Sequence, residues 1–215
     1  MYEALKRDII QAGILMDRHQ LISLSGGNVS VRHNNHILVT PSGMIYETMV
    51  DDDVIVLNLD GSIVEGTRRV SVDTEALLYI FNHRPDVNAI IHTHQPYATA
   101  VGLIANELPC CLTTLANTSE GAVHVADYAS AASLDMGIQA VEHLGSSLSV
   151  ILRNHGVVCI GTTLKQALYA AVYLEESAKT YTIARSISPN IALLNQHQID
   201  DAIAVFNRYG QPKSK

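Results

Sequence analysis

The chain has 215 residues, 47% apolar and 16% charged, a balance that fits a globular protein with one substantial core and excludes a disordered chain. Its net charge is −7 and Lys and Arg form no cluster, which argues against nucleic acid as a partner. No apolar run reaches bilayer-spanning length, so no membrane partner is expected. MYEALKRDIIQ, with Glu3 and Asp8 inside an amphipathic pattern, does not read as a signal peptide. Cys110, Cys111 and Cys159 form no CxxC pair and no even framework. A reducing, cytoplasmic setting without structural disulfides is therefore expected. The low charged fraction also suggests surface buried against other subunits.

In chain order, Leu5, Ile9, Ala12 and Met16 recur at helical spacing and predict a helix over residues 3–19. SLSGGNVS (23–30) follows as a glycine-rich loop. HILVT (36–40) reads as a strand with PSG (41–43) as its turn, and residues 53–66 as a hairpin around Asp60-Gly61. SVDTEALLYIFNHRP (71–85) predicts a helix with Ser71 as N-cap, Asp73 and Glu75 in the first turn, and Pro85 as its bound. VNAIIHTH (87–94) is a short strand, residues 97–105 are helical, and CCLTTL (110–115) is a strand candidate. Residues 129–145 form a helix ending at Gly145, LSVILRN (148–154) a buried strand followed by HGVVCIG, and residues 163–187 a long helix apolar on most faces. QIDDAIAVFNRYG (198–210) closes the chain as a helix. Helices mixed with hairpins favour a sheet layered with helices over a doubly wound fold. No repeat or interdomain linker is visible, and GGNVS is not a GxGxxG fingerprint, since it follows a helix rather than a strand.

The chemistry-bearing residues begin with HTH. Positions i and i+2 of a strand face one side, so His92 and His94 can reach one ion. His155, in ILRNHG, also follows an apolar strand. Three imidazoles converging from two strand ends, with a position open to substrate, is the layout of a catalytic zinc site. Each also has a plainer reading, as HxH arises easily among ten histidines and a lone His155 can be a hydrogen-bonded structural residue. Asp73 is either a first-turn helix carboxylate or a metal ligand or general base; Glu75, two residues on, points elsewhere on the helix. Tyr209, in FNRYGQ, is either a terminal packing residue or a proton-donating phenol, the latter requiring the tail to reach a site across an interface.

Together these residues resemble the class II aldolase/adducin-head family over nearly the whole chain. GGNVS (26–30), TPSG (40–43), SVDTE (71–75), RPDVNAIIHTH (84–94), NHG (154–156) and YGQ (209–211) occur in the family's order and spacing. The resemblance implies a single α/β domain over 1–215, with a mainly antiparallel central sheet flanked by helices, assembled as a homotetramer with sites at subunit interfaces. It implies Zn2+, or another divalent ion such as Mn2+ or Co2+, on His92, His94 and His155. It implies a sugar phosphate substrate held by Gly26, Gly27, Asn28, Ser42, Gly43 and Ser71, a set with small residues that let backbone N–H groups approach an anion and with a helix start beside them. Asp73 falls where aldolases of the family carry a catalytic glutamate and epimerases an aspartate, and Tyr209 matches a tyrosine that serves the neighbouring subunit's site. The implied activity is a metal-dependent lyase that cleaves a ketose phosphate through an enediolate to dihydroxyacetone phosphate and an aldehyde. A pentulose-phosphate 4-epimerase and a decarboxylase or dehydratase are the alternatives. Adducin heads share the fold as structural modules without the metal histidines.

Two departures bear on the choice. Val72 stands where many members carry a second phosphate-binding serine. In TTLANTSEG (113–121), Asn117 stands at the position of the epimerases' catalytic aspartate, and no tyrosine stands near Thr113 or Thr114, where fuculose-type aldolases have one.

Overall fold

The computed structural model describes residues 2–210. Among them, a mixed sheet is built from β1 (Asn28–His33), β2 (His36–Val39), β3 (Ile55–Asn58), β4 (Ile63–Glu65), β5 (Ala89–Thr93), β6 (Glu107–Leu108), β7 (Val123–Ala126), β8 (Ser149–Leu152) and β9 (Gly156–Gly161). Their order across the sheet is β4-β3-β2-β1-β5-β9-β8-β7-β6. Every named pair is antiparallel except β7 with β8. The β3–β4 turn is the expected one: Gly61 takes φ +88°, and Asp60 accepts from the N–H and hydroxyl of Ser62.

Among the described residues, seven α-helices clothe the two faces of this sheet: α1 (Glu3–Arg18), α2 (Thr74–His83), α3 (Pro96–Ile104), α4 (Thr113–Ser119), α5 (Leu134–Leu144), α6 (Leu164–Ile187) and α7 (Gln196–Phe206). Strand alternation divides the apolar residues between the faces. Val29, Val31, Leu38, Val56, Ile91, Val157 and Cys159 join the buried faces of α1, α3, α4, α6 and α7 in one core. Ile37, Ile55, Ile90, Val150, Val158 and Ile160 join α2 and α5 in the other. The long α6 is covered by both sheet and helices, touching β5, β9, α1, α3 and α4, which accounts for its lack of a single apolar stripe.

Several elements differ from the sequence expectations. CCLTTL is not a strand: Cys110 to Leu112 are irregular and α4 begins at Thr113. Its β-branched threonines favour extension, but Leu112, Leu115 and Ala116 have helical spacing. Burial of Leu115 and Ala116 in the larger core decides the matter. Ser71 is not the N-cap of α2; Asp73 holds that position, without a side-chain cap bond. The helix expected over 129–145 starts at Leu134, capped by Ser133 accepting from the Met136 N–H. The last helix starts earlier and stops at Phe206, its start fixed by a reciprocal Asn195–Gln198 capping box. Gln211 of the YGQ motif lies outside the described residues. No described helix is long and apolar enough to cross a membrane.

Candidate active site

The site forms at one end of the sheet, on its α2 face, from the middle strand outward. Antiparallel register sets Asn28 of β1 directly beside His92 of β5, and Val158 of β9 on the other side. Cross-strand partners share a face, so Asn28 and His92 project together. Gly27 makes this pairing possible. It takes φ +69°, and a Cβ there would overlap the carbonyl oxygen of His92, so the residue preceding β1 has to be glycine. His155 comes from the tight β8–β9 turn, where Asn154 adopts φ +59°, a region asparagine tolerates better than most residues. Arg153 ties that turn to α3 and beyond through the Gly102 carbonyl (3.1 Å) and Asn106 Oδ1 (2.8 Å).

The three imidazoles thus converge: one ligating atom from each of His92, His94 and His155 lies within 4.8 Å of the others. Tetrahedral coordination with bonds of about 2.0–2.1 Å sets ligand nitrogens roughly 3.3 Å apart, and His92 Nε2 and His94 Nε2 are separated by 3.1 Å. The Val157 carbonyl lies 2.9 Å from His92 Nδ1. A carbonyl only accepts, so it assigns the proton to Nδ1 and leaves the Nε2 lone pair facing the cluster. His155 Nδ1 is buried without a hydrogen-bond partner among the described residues. All three rings resist protonation. Burial, then the nearby His155 and His94, pushes His92 down to about 3. Burial lowers His94 against the pull of Asp73. Burial and His94 together lower His155. Neutral, converging imidazoles with an orphaned ring nitrogen fit a divalent cation.

Asp73, at the start of α2, turns its carboxylate towards neighbouring side chains. Its side chain makes no cap bond; Oδ2 instead accepts from Asn28 Nδ2 at 2.9 Å and lies 3.9 Å from His92 Nε2. Asn28 Nδ2 also reaches Ser71 Oγ at 3.3 Å, and Asn28 Oδ1 is buried with no partner among the described residues. One side chain of β1 therefore ties Asp73, the N-cap of α2, to Ser71 just before it. A Pro41–Val70 bridge brings the PSG turn against that start, and the Ser42 N–H donates to the Arg69 carbonyl at 2.9 Å. Asn28, Ser42, Gly43 and Ser71 thus belong to one neighbourhood. The Gly26 N–H closes its own loop onto the Ser23 carbonyl at 3.0 Å. Val72 is exposed and takes no part in these bonds.

Other residues lie elsewhere. Tyr209, just past α7, is 80% exposed, with its ring 5.8 Å from Phe206 and no ring contact with the histidines among the described residues. Asn117 lines a different cleft of about 580 Å³, with Lys165, Tyr169 and Asn207. The Val157 carbonyl, which sets the His92 tautomer, was not legible in the sequence, because any residue type supplies that atom.

A layered α/β domain carrying a three-histidine centre with an adjacent carboxylate and a polar helix start is the architecture of a class II aldolase. Residues 7–182 match the family model described as Class II Aldolase and Adducin N-terminal domain, and the chain belongs to that family. It is 30% identical over 208 residues to a 5-deoxy-D-ribulose 1-phosphate aldolase of Bacillus thuringiensis serovar kurstaki, covering 96% of this chain and 97% of that protein. Among solved structures it resembles an L-fuculose 1-phosphate aldolase (TM-score 0.88, 27% identity, 94% and 95% of the two chains). It also resembles the L-fuculose-1-phosphate aldolase of Thermus thermophilus (TM-score 0.77, 26% identity, 86% and 97%).

Proposed function

We propose that this protein is a divalent-metal-dependent aldolase that cleaves a ketose phosphate to dihydroxyacetone phosphate and an aldehyde. The observation that carries the reading is the joint geometry of the histidine cluster and Asp73, 3.9 Å from His92 Nε2. His92, His94 and His155 would hold the ion, Zn2+ or another first-row divalent cation such as Mn2+ or Co2+, as neutral nitrogen ligands. The bound ion would supply Lewis-acid stabilisation of the negative charge that develops as the C–C bond breaks.

This chain's own residues then divide the remaining work. Asn28, Ser42, Gly43 and Ser71, with the Gly27 loop and the start of α2, hold the phosphate end, where the helix dipole favours an anion. Asp73 sits between that end and the histidines. During cleavage the hydroxyl beside the breaking bond gives up a proton, the aldehyde leaves, and the remaining carbon regains a proton. Asp73 is the base or shuttle for this exchange, and the Asn28 amide holds its carboxylate in place. Tyr209, exposed at the end of α7, is the proton donor to a neighbouring subunit's site in a homotetramer. The three free thiols accord with a cytoplasmic setting.

The test is release of dihydroxyacetone phosphate from a panel of 1-phosphorylated ketoses, including L-fuculose 1-phosphate and 5-deoxy-D-ribulose 1-phosphate. Cleavage that a chelator abolishes and a divalent ion restores is the expected result. Cleavage that survives metal removal overturns the metal role, and an epimerised ketose without free aldehyde overturns the aldolase reading.

A further inference from the structure

We infer that Gln95 and Glu175, on the opposite side of the sheet from the histidines, are positioning residues that hold His94 at the metal centre. The inference rests on the metal-dependent reading above. His92 needs no such help, since it sits inside the ladder between Asn28 and Val158 and its ring is fixed by the Val157 carbonyl. His94 lies beyond the last residue of β5, Thr93, and has no ladder partner. Its N–H donates to the Leu21 carbonyl at 3.1 Å; the rest of its placement depends on the residues on either side.

Those residues are tied to α6. Alternation turns Thr93 and Gln95 away from the histidine face. The Thr93 hydroxyl donates to Gln95 Oε1 at 2.7 Å, and Gln95 Nε2 donates to the Ala171 carbonyl at 3.3 Å. One turn further along α6, both carboxylate oxygens of Glu175 accept from α3, from the N–H of Tyr97 at 2.9 Å and of Ala98 at 3.0 Å. Ala171 and Glu175 are four residues apart, on one face of α6. The segment from Thr93 to Ala98 is thus fastened from behind at two successive turns of one helix, and His94 is the residue in its middle that faces the other way.

The choice of residue supports a purpose beyond local capping. Gln95 is the N-cap of α3 and makes no cap bond, although Ser, Asn or Asp there would satisfy one of the same two N–H groups from within the segment. The fold instead uses a carboxylate that is only 8% exposed. Burial raises its pKa, against the opposing effect of the two N–H groups and Lys179. Desolvating a carboxylate is costly. What the arrangement adds over a local cap is a fixed connection between α6 and the chain immediately after His94.

The test uses Co2+ as the probe, bound to the full-length protein freed of other metals. Affinity is read by competition with a chelator, ligand geometry by visible d–d absorption, and fold integrity by thermal unfolding of the metal-free form. Glu175→Ala should weaken Co2+ binding about ten-fold or more, the scale seen for residues that orient metal ligands, and should change the d–d spectrum. In a His94→Ala background, the added Glu175→Ala change should cost no further affinity, because the ligand it positions is gone. If Glu175→Ala does not fold, Glu175→Gln and Gln95→Met are read by the same criteria. Unchanged affinity and spectrum with only a lower unfolding temperature would overturn the inference and leave Glu175 as a structural cap. Absence of Co2+ binding by the unaltered protein would overturn the metal reading itself, and this inference with it.

Discussion

Replacing Gly27 by alanine tests whether the glycine loop is shaped by the histidine-bearing strand beside it. The position holds φ +69°, and a Cβ would overlap the His92 carbonyl oxygen while standing 2.9 Å from Ile22 Cγ2 and 3.3 Å from Met16 Cε. An L-residue in the left-handed region costs about 1–2 kcal/mol, and overfilling a packed site about 1–3 kcal/mol more. The backbone oxygen cannot swing aside as a side chain would, so β1 and β5 have to part at the Asn28–His92 pair. The expected loss is therefore about 2–5 kcal/mol in urea unfolding, or roughly 5–20 °C in Tm for a chain of this size, together with weaker divalent-ion binding. Gly26→Ala is the matched control. Its Cβ would stand 3.1 Å from the Ser23 carbonyl and 3.2 Å from His94 Nδ1, and it should lose less than about 1 kcal/mol. A Gly27→Ala protein within about 1 kcal/mol of the unaltered one, or no worse than Gly26→Ala, would mean that the His92 carbonyl does not dictate glycine at this position.

Asp73→Asn keeps the size of the side chain and removes its capacity to take a proton, so turnover should fall about 10²–10⁴-fold with KM little changed; steady-state kinetics on the best substrate decides it. Asn28→Ala should raise KM for a phosphorylated ketose far more than for its dephosphorylated analogue, and equal effects on both would remove Asn28 from the phosphate end. The metal-free protein should lose stability as pH falls below about 6.5. There the unfolded chain protonates its histidines while His92, held down to about 3, and the lowered His94 and His155 resist. Stability therefore rises with pH through this window, by up to about 1.4 kcal/mol per unit for each ring concerned, and urea titrations from about pH 7 down to about pH 4 measure the slope. A flat profile would contradict buried, neutral imidazoles.

The histidine cluster was legible in the sequence because HTH and NHG each mark the end of an apolar strand, and a strand's period of two fixes which residues share a side. What brings the strands together was not legible. That Asn28 lies beside His92 is a matter of register between segments more than sixty residues apart, and local pattern carries no register. β1 itself was hidden. Its alternate residues Asn28, Ser30 and Arg32 are polar, yet they face α2 rather than water; Arg32 donates to the Phe81 carbonyl at the far end of that helix, as Asn28 reaches its start. α4 was obscured by threonines whose extended preference yields to burial of Leu115 and Ala116. The roles of Gln95 and Glu175 depend on α6 crossing behind β5, a tertiary fact that neither segment signals alone. Tyr209 stands out by its motif, and among the described residues its ring meets Phe206 rather than the histidines.

The most direct measurement is a retro-aldol assay on metal-stripped protein, coupled to detection of dihydroxyacetone phosphate and repeated after adding back one divalent ion per chain. A metal-dependent aldolase gives no release when stripped, release on restoring the ion, and no restoration in His92→Ala or His155→Ala. Undiminished release from the stripped protein, or full restoration in either histidine variant, would contradict this reading.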